Sequence, residues 1–224
     1  MCAGPRRSPT RPTPPRSPIS GPAPTRATSS PPSTPRSSAA AATIRQTSSS
    51  SASGVDALLC RYKAGRRTLG TRDQITLEFA GAYRHYHAAI MRTVPVGDPK
   101  PAHLAYHRAA REALLACEAE LRPGRTAGDV YAAHARVLDE RGLGAHRLNA
   151  CGYSLGAKFT PSWMDWPMFY EANPWEIAPG MVVFAHMILM DSDTETAMTL
   201  GRTSLVGEHG AEALTMPALD LVIR

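Results

Sequence analysis

Trp163, Asp165 and Trp166 lie close together in a Trp- and Pro-rich stretch that runs from Pro161 to Pro179 without a helix or strand pattern. Long loops on a rigid scaffold often carry binding residues. Neighbouring aromatic rings and a carboxylate could enclose a small organic ligand. The same tryptophans could instead cover the hydrophobic core, and the sequence leaves both interpretations open. Trp163 and Asp165 are therefore candidate substrate-binding residues.

The four cysteines are far apart and include no Cys-x-x-Cys pair. This spacing argues against a zinc knuckle and against a disulfide framework. We expect all four to be reduced residues that pack in the protein: Cys2, Cys60, Cys117 and Cys151.

Residues 1–53 differ in composition from the rest of the chain. They contain eleven of the twenty prolines and seven arginines, and they have no acidic residue. Such a segment cannot bury enough apolar surface to offset its chain entropy, so the sequence predicts a disordered tail at 1–53, a linker at 54–71 and a folded domain at 72–224. The composition also fits a transit peptide, although prolines would break its helix, or an extension that is not part of the functional protein.

The distribution of charged and of apolar residues argues against two kinds of partner, nucleic acids and membranes. The chain carries 25 basic and 19 acidic side chains, and the excess of positive charge lies in the tail. The tail has no Lys/Arg cluster interleaved with aromatic residues, so nucleic-acid binding would rest on the charge of the tail alone, and we expect none. No apolar run reaches the 18 or more residues that a membrane span requires. We expect a soluble, cytoplasmic protein.

The sequence of the domain predicts two strands, then two helices, then further strands. Two paired strands follow Gln74, with a tight turn expected at 80–82. Apolar spacing predicts a helix over 102–121, and a capping box at Thr126 and Asp129 begins a second helix over 127–141. Apolar strands follow at 181–190 and 199–206. This order indicates an α+β fold and not a parallel βαβ fold.

Five segments in this order resemble the pita-bread domain of the creatinase and aminopeptidase superfamily: LEFAG followed by YHAAIMRTVPVGDP, LRPGRTAGDVYAA, GYSLG, APGMVV and LVGEHGAEALT. The superfamily includes methionine and Xaa-Pro aminopeptidases, prolidase, creatinase and ectoine hydrolase. YHAAIMRT and GYSLG are most similar to the ectoine hydrolase and creatinase side. The resemblance implies an α+β pita-bread fold that is incomplete at its amino-terminal end and preceded by the disordered tail.

Metallopeptidases of this superfamily hold two divalent ions with two Asp, one His and two Glu side chains. The resemblance places these five ligand positions on Glu78, Ala89, Tyr153, His186 and Arg202, of which only Glu78 and His186 could still bind a metal. Alanine has no donor atom, and arginine carries a permanent positive charge. We therefore expect no dinuclear metal centre and no other cofactor.

Creatinase and ectoine hydrolase imply that the scaffold can hydrolyse C–N bonds without metal. In that comparison, Glu78 would act as base or nucleophile, and His186 or His87 would transfer a proton. Tyr153 and Arg202 would stabilise charge or hold a substrate carboxylate. Glu78 and Arg202 are expected to face one pocket, or alternatively to form a structural ion pair.

Two functions remain open at this point. One is a metal-independent hydrolase that cleaves an amide, amidine or Xaa-Pro peptide bond of a small nitrogenous substrate. The other is a truncated, catalytically inactive module that binds a ligand or has no function. Relatives of this kind are commonly dimers, so a homodimer is also expected.

Overall fold

The computed structural model describes residues 50–59, 67–159, 162–216 and 218–224. The prediction of disorder for residues 1–49, and the predictions for Cys2 and Cys60, lie outside these residues. Ordered structure begins earlier than the predicted domain boundary. Strand β1 (Ser50–Ser53) lies within the predicted tail, and a 3-10 helix (Gly54–Leu58) lies within the predicted linker.

Eight antiparallel strands form a single sheet among the described residues. After β1, the strands are β2 (Asp73–Tyr83), β3 (Tyr86–Val96), β4 (Gly152–Leu155), β5 (Met164–Met168), β6 (Val182–Asp191), β7 (Thr196–Val206) and β8 (Ala211–Ala213). Strands β1 to β7 are hydrogen-bonded in the order β1-β2-β3-β7-β6-β4-β5, and β8 pairs with β7.

The hairpin between β2 and β3 turns later than predicted. Gly81 lies inside β2, and the turn consists of Arg84 and His85, which have φ angles of 48° and 69°. Both angles lie in the left-handed region that Gly and Asn usually occupy in two-residue hairpin turns. The prediction of a turn at 80–82 was therefore wrong. The glycine gave a false signal, and the true turn contains neither preferred residue.

Two helices follow the hairpin, close to their predicted positions. Helix α1 (Pro101–Glu120) begins with proline at its first position, where the missing N–H is tolerated. Helix α2 (Ala127–Glu140) begins with the predicted capping box, because Asp129 N donates to Thr126 Oγ1 and Thr126 N donates to the Asp129 carboxylate. The stretch 161–179, predicted to be a loop, contains strand β5.

The two faces of the sheet carry separate hydrophobic cores. One core packs α1 and α2 against Ala185, Met187 and Leu200 of β6 and β7. The other lies on the opposite face and includes Met91, Phe184 and other apolar side chains. Leu59, which follows the 3-10 helix after β1, and Met168 of β5 line one cavity although β1 and β5 are at opposite ends of the sheet. The sheet is therefore strongly curled around the second core.

Cys117 and Cys151 are free and buried in the helix-side core, as expected for packing residues. None of the helices in the described part of the chain is long and apolar enough to cross a membrane.

Candidate active site

A cavity of about 570 Å³ lies inside the curl of the sheet. Three of its lining residues are polar, and they come from strands β2, β4 and β6: Glu78, Tyr153 and His186. Seven others are apolar: Leu59, Met91, Leu148, Ala150, Met164, Met168 and Ile188. The volume is within the range of roughly 300–1,000 Å³ that is usual for small-molecule sites. Three residues singled out in the sequence are thus brought to one cavity.

Glu78 and His186 belong to one row of residues that crosses four strands. Glu78 of β2 pairs with Met91 of β3, Met91 pairs with Gly201 of β7, and Gly201 pairs with His186 of β6. Directly opposed residues in a sheet point to the same face. The carboxylate and the imidazole therefore lie on the same face of the sheet, with a methionine and a glycine between them.

Tyr153 lies beside His186 and is positioned by Trp163. The indole Nε1 of Trp163 donates a hydrogen bond of 2.9 Å to the Tyr153 hydroxyl oxygen, and both residues are buried. The rings of Tyr153 and His186 are 5.6 Å apart, and Phe184 contacts both. Trp163 thus donates a hydrogen bond to Tyr153 and is not among the described lining residues of the cavity. The sequence analysis had considered that Trp163 itself would enclose a ligand.

Asp165 and His87 lie outside the cavity lining. The Asp165 carboxylate accepts hydrogen bonds from Lys158 Nζ at 3.2 Å and from Trp166 N at 2.9 Å. His87 shares a strand face with Ala89 and Met91 but lies nearer the hairpin turn, with its ring centroid 6.4 Å from that of Trp163. Burial lowers the pKa of His87, which the nearby backbone of His85 and Gly156 partly offsets. The structure does not bring His87 together with Glu78 and His186.

The position of the Arg202 side chain differs most from the site predicted from the sequence. It pairs with Ala185, which packs against the helices, so its side chain lies on the face of the sheet opposite the cavity. Its guanidinium forms a two-point ion pair with Glu118 of α1, with an Nε–Oε1 distance of 2.6 Å, and Nη1 donates to Met216 O. The expectation that Arg202 faces the Glu78 pocket was wrong, and so was the alternative of a Glu78–Arg202 ion pair.

Gly201 is the residue of this part of β7 that faces the cavity. Successive residues of a strand point to opposite faces. The metal-ligand position that the sequence analysis assigned to Arg202 therefore corresponds to Gly201, one residue earlier. A Cβ atom at Gly201 would lie 2.9 Å from Phe184 Cζ and 3.0 Å from Ala185 O. Sequence reasoning also missed Met91, Met164 and Met168, since methionine in a strand gives no signal that separates a cavity wall from ordinary core.

The residues of this face do not fit a two-metal centre. Such centres need several anionic oxygen and imidazole donors that converge on ions about 3.5–4 Å apart. Ala89 and Gly201 offer no side-chain donor, and Tyr153 is hydrogen-bonded to Trp163. Within the described ranges, no three His, Cys, Asp or Glu side chains form a group that could hold a metal ion.

Comparisons with known proteins give a consistent result. The sequence model of metallopeptidase family M24 matches residues 38–208. An uncharacterised hydrolase/peptidase of Sinorhizobium fredii is 28% identical over 169 residues, which are 73% of this chain and 40% of that protein. The ectoine hydrolase of Halomonas elongata is 29% identical over 140 residues, which are 61% of this chain and 34% of that enzyme. This chain therefore spans less than half the length of these relatives.

A solved structure shows the same fold. The Xaa-Pro dipeptidase of Bacillus anthracis superimposes with a TM-score of 0.75 at 23% identity, covering 82% of this chain and 50% of the dipeptidase. The α+β pita-bread fold expected from the five sequence segments is confirmed.

Proposed function

Because the chain belongs to metallopeptidase family M24, we propose that it is a hydrolase that cleaves a C–N bond of a small nitrogenous substrate without a dinuclear metal centre. One observation carries this proposal. Glu78, Tyr153 and His186 line a single cavity of about 570 Å³, and these are groups that can move protons and hold a carbonyl.

The loss of the metal centre is supported by the residues of the cavity face. Glu78 and His186 are the lining residues with carboxylate or imidazole donors in the described part of the chain. The two residues that separate them along the row, Met91 and Gly201, supply a thioether and no side chain. Two cations in this row would lack the bridging carboxylates that hold such pairs.

The proposed reaction uses water as the nucleophile. Glu78 accepts a proton from water as the water oxygen forms a bond to the carbonyl or amidine carbon, and Tyr153 contacts the carbonyl oxygen or amidine nitrogen of the substrate. The C–N bond then breaks, and His186 donates a proton to the departing nitrogen. Transfer of the proton from Glu78 to His186 through solvent restores both groups. Arg202 takes no part, because it is paired with Glu118 on the other face.

A second candidate function is a non-catalytic ligand-binding module. The observation that favours it is the position of Arg202, which leaves the described lining without an Arg or Lys side chain to stabilise an oxyanion. Such stabilisation is often the largest single contribution to acyl transfer. In this case, the cavity would bind a small molecule and release it unchanged.

The test is an assay of the full chain after treatment with a chelator, with and without added Mn²⁺. The substrates are ectoine, creatine and Xaa-Pro dipeptides, each beside its carboxamide counterpart. We expect turnover without metal, and a loss of about 10²–10⁴-fold in kcat/KM in Glu78→Gln but not in the exposed control Glu212→Gln. Turnover that requires Mn²⁺ would contradict the metal-free reaction, and binding without turnover would support the second candidate.

Cytoplasmic localisation and a homodimeric state are also proposed. They rest on the sequence features and on the resemblance described above, and size-exclusion chromatography with light scattering tests the second of them.

A further inference from the structure

Three aromatic side chains form an exposed cluster in strand β5 and in the loop that follows it. Trp166 lies in β5, and its ring centroid is 6.2 Å from that of Tyr170 and 6.3 Å from that of Trp175. The three residues are 54%, 38% and 44% exposed, respectively. Single exposed hydrophobic residues are normal on a protein surface, but a contiguous group often marks a binding site. This cluster, the aromatic patch, lies outside the described lining of the cavity.

Hydrogen bonds fix the loop that carries Tyr170 and Trp175. Asn173 is buried, donates from Nδ2 to Met168 O at 2.6 Å and accepts from Trp175 N at 3.1 Å. Trp175 O accepts in turn from Ala127 N, at the start of helix α2. The backbone that presents the rings is therefore ordered before a ligand binds, which lowers the entropic cost of binding.

The orientations of the rings favour a compact ligand. The planes of Trp166 and Trp175 are at 90° to each other, and the plane of Tyr170 is at 51° to that of Trp166. A flat ligand can stack on only one of two perpendicular rings, whereas a compact cation can approach rings of different orientation. The negative face of an aromatic ring attracts a cation within about 6 Å of its centroid, and tryptophan does so most strongly.

Two carboxylates flank the aromatic patch along the chain. Glu171 follows Tyr170, Glu176 follows Trp175, and both glutamates are exposed. Negative charge beside a binding surface raises the local concentration of cations and attracts them over a distance of about one Debye length. The rings and the carboxylates therefore favour ligands of the same sign of charge.

A quaternary ammonium group suits such a surface better than a primary ammonium or a guanidinium group. The N–H donors of the latter two would leave water for ring faces that accept hydrogen bonds poorly, which costs free energy. A quaternary ammonium group has methyl groups and no N–H, so it loses little hydration on aromatic rings. We infer that the aromatic patch binds the quaternary ammonium group of a small soluble ligand. This second site goes beyond the proposed hydrolysis and does not depend on it.

The test probe is choline. It is compared with its neutral carbon isostere, which has the same shape, and with ethanolamine, which is charged but lacks the methyl groups. Binding to the nitrogen-labelled full chain is followed by NMR through the indole N–H signals of its three tryptophans. We expect choline to shift the signals of Trp166 and Trp175 and not that of the buried Trp163. Choline should bind at least about tenfold more tightly than either comparison compound.

Variants test the location and the role of charge. Trp175→Leu should weaken choline binding at least about fivefold, whereas Trp175→Phe keeps a ring and should retain most of it. Tyr83→Leu removes an exposed ring of strand β2 and should leave the affinity unchanged. The double variant Glu171→Gln/Glu176→Gln should weaken binding about two- to fivefold at low ionic strength, and less at about 0.5 M salt.

Equal affinity for choline and its carbon isostere would overturn the inference, as would a Kd for choline above about 50 mM. Equal affinity for ethanolamine would overturn the choice of a quaternary group. Unchanged choline binding in Trp175→Leu, shown to be folded by circular dichroism, would overturn the location. A peptide with a trimethylated lysine that binds at least about tenfold more tightly than choline would overturn the assignment to a small soluble ligand.

Discussion

The guanidinium of Arg202 and the carboxylate of Glu118 form a buried ion pair between strand β7 and helix α1. Their side chains are 10% and 11% exposed, and Ser204 Oγ also donates to Glu118 at 2.8 Å. The pair lies on the face of the sheet opposite the cavity. Arg202 therefore joins a helix to the sheet and does not contact a ligand in the cavity.

Arg202→Met should destabilise the protein by about 3–5 kcal/mol, because Glu118 is left as a buried charge without its partner. Urea unfolding measures this change. The double variant Arg202→Met/Glu118→Leu should recover most of the loss, since both charges are removed together. Arg136→Met is the control: it breaks an exposed pair with Glu140, in which the atoms are 3.7 Å apart, and should cost less than about 1 kcal/mol. Similar losses in both single variants would contradict the buried role.

Gly201→Ala should destabilise the protein by about 1–3 kcal/mol, because the new methyl group would lie 3.0 Å from Ala185 O and 3.1 Å from His186 Cβ. Gly81→Ala is the matched control within the same sheet. A Cβ atom there meets nothing within 4 Å, so this change should be neutral or slightly stabilising. Both are measured by thermal and urea unfolding. Unchanged stability in Gly201→Ala would mean that β7 and β6 are less closely packed than described.

Trp163→Phe should cost about 1 kcal/mol of stability, since it removes the buried indole donor to the Tyr153 hydroxyl. It should also weaken ligand binding in the cavity, because the Tyr153 hydroxyl loses this donor. Trp166→Phe provides the comparison, as Trp166 is 54% exposed and lies outside the cavity. Calorimetric titration of both variants with the same ligand measures the difference. Equal affinity in the two variants would show that the hydrogen bond does not position Tyr153.

The free energy of unfolding should fall as the pH decreases from about 6.5 to about 4. Burial lowers the pKa of His103 and of His134 to about 4, so both remain neutral in the folded protein and gain a proton on unfolding below the ordinary value of about 6.5. Each of the two histidines contributes on the order of 3 kcal/mol of stability above about pH 6.5. This contribution is lost as the pH falls from about 6.5 through the folded pKa. Burial lowers the pKa of His87 and His107 in the same direction.

Urea unfolding at pH values between about 7.5 and 4.5 measures this slope. Hydrogen bonds to their ionised carboxylates hold the pKa of Asp139 and Asp191 below the ordinary range. Protonation of these two carboxylates therefore destabilises the protein only at lower pH. His134→Gln should reduce the slope, whatever its effect on stability at pH 7.5. An unchanged slope in this variant would contradict the burial of a neutral His134.

The helices could be predicted from the sequence because their signals are local. The capping box at Thr126 and Asp129 begins α2 where expected, and apolar spacing placed the ends of both helices within one residue. Within α1, however, the apolar side chain of Leu104 is 45% exposed. Helix periodicity thus predicted the bounds of the helix better than it predicted which of its residues are buried.

The site was predicted less completely because it depends on the pairing of distant strands. Glu78, Tyr153 and His186 were found from their motifs, and the structure brings them to one cavity. The face occupied by Arg202 follows from the pairing of β7 with β3 and β6, and an error of one residue along a strand reverses the face. The hairpin turn at Arg84 and His85 lacked the Gly or Asn that would have marked it.

The Arg202–Glu118 ion pair also distinguishes the native alignment of β7 from its nearest misalignment. If β7 slipped by one residue against its neighbours, Arg202 would enter the apolar interior of the curl and Gly201 would face the helix. Glu118 would then be a buried anion without its counter-ion, and the guanidinium would lie in a cavity whose described lining is mostly apolar. The slipped arrangement carries both penalties at once. The pair can therefore enforce a unique topology even if replacing it with apolar residues leaves the overall stability unchanged.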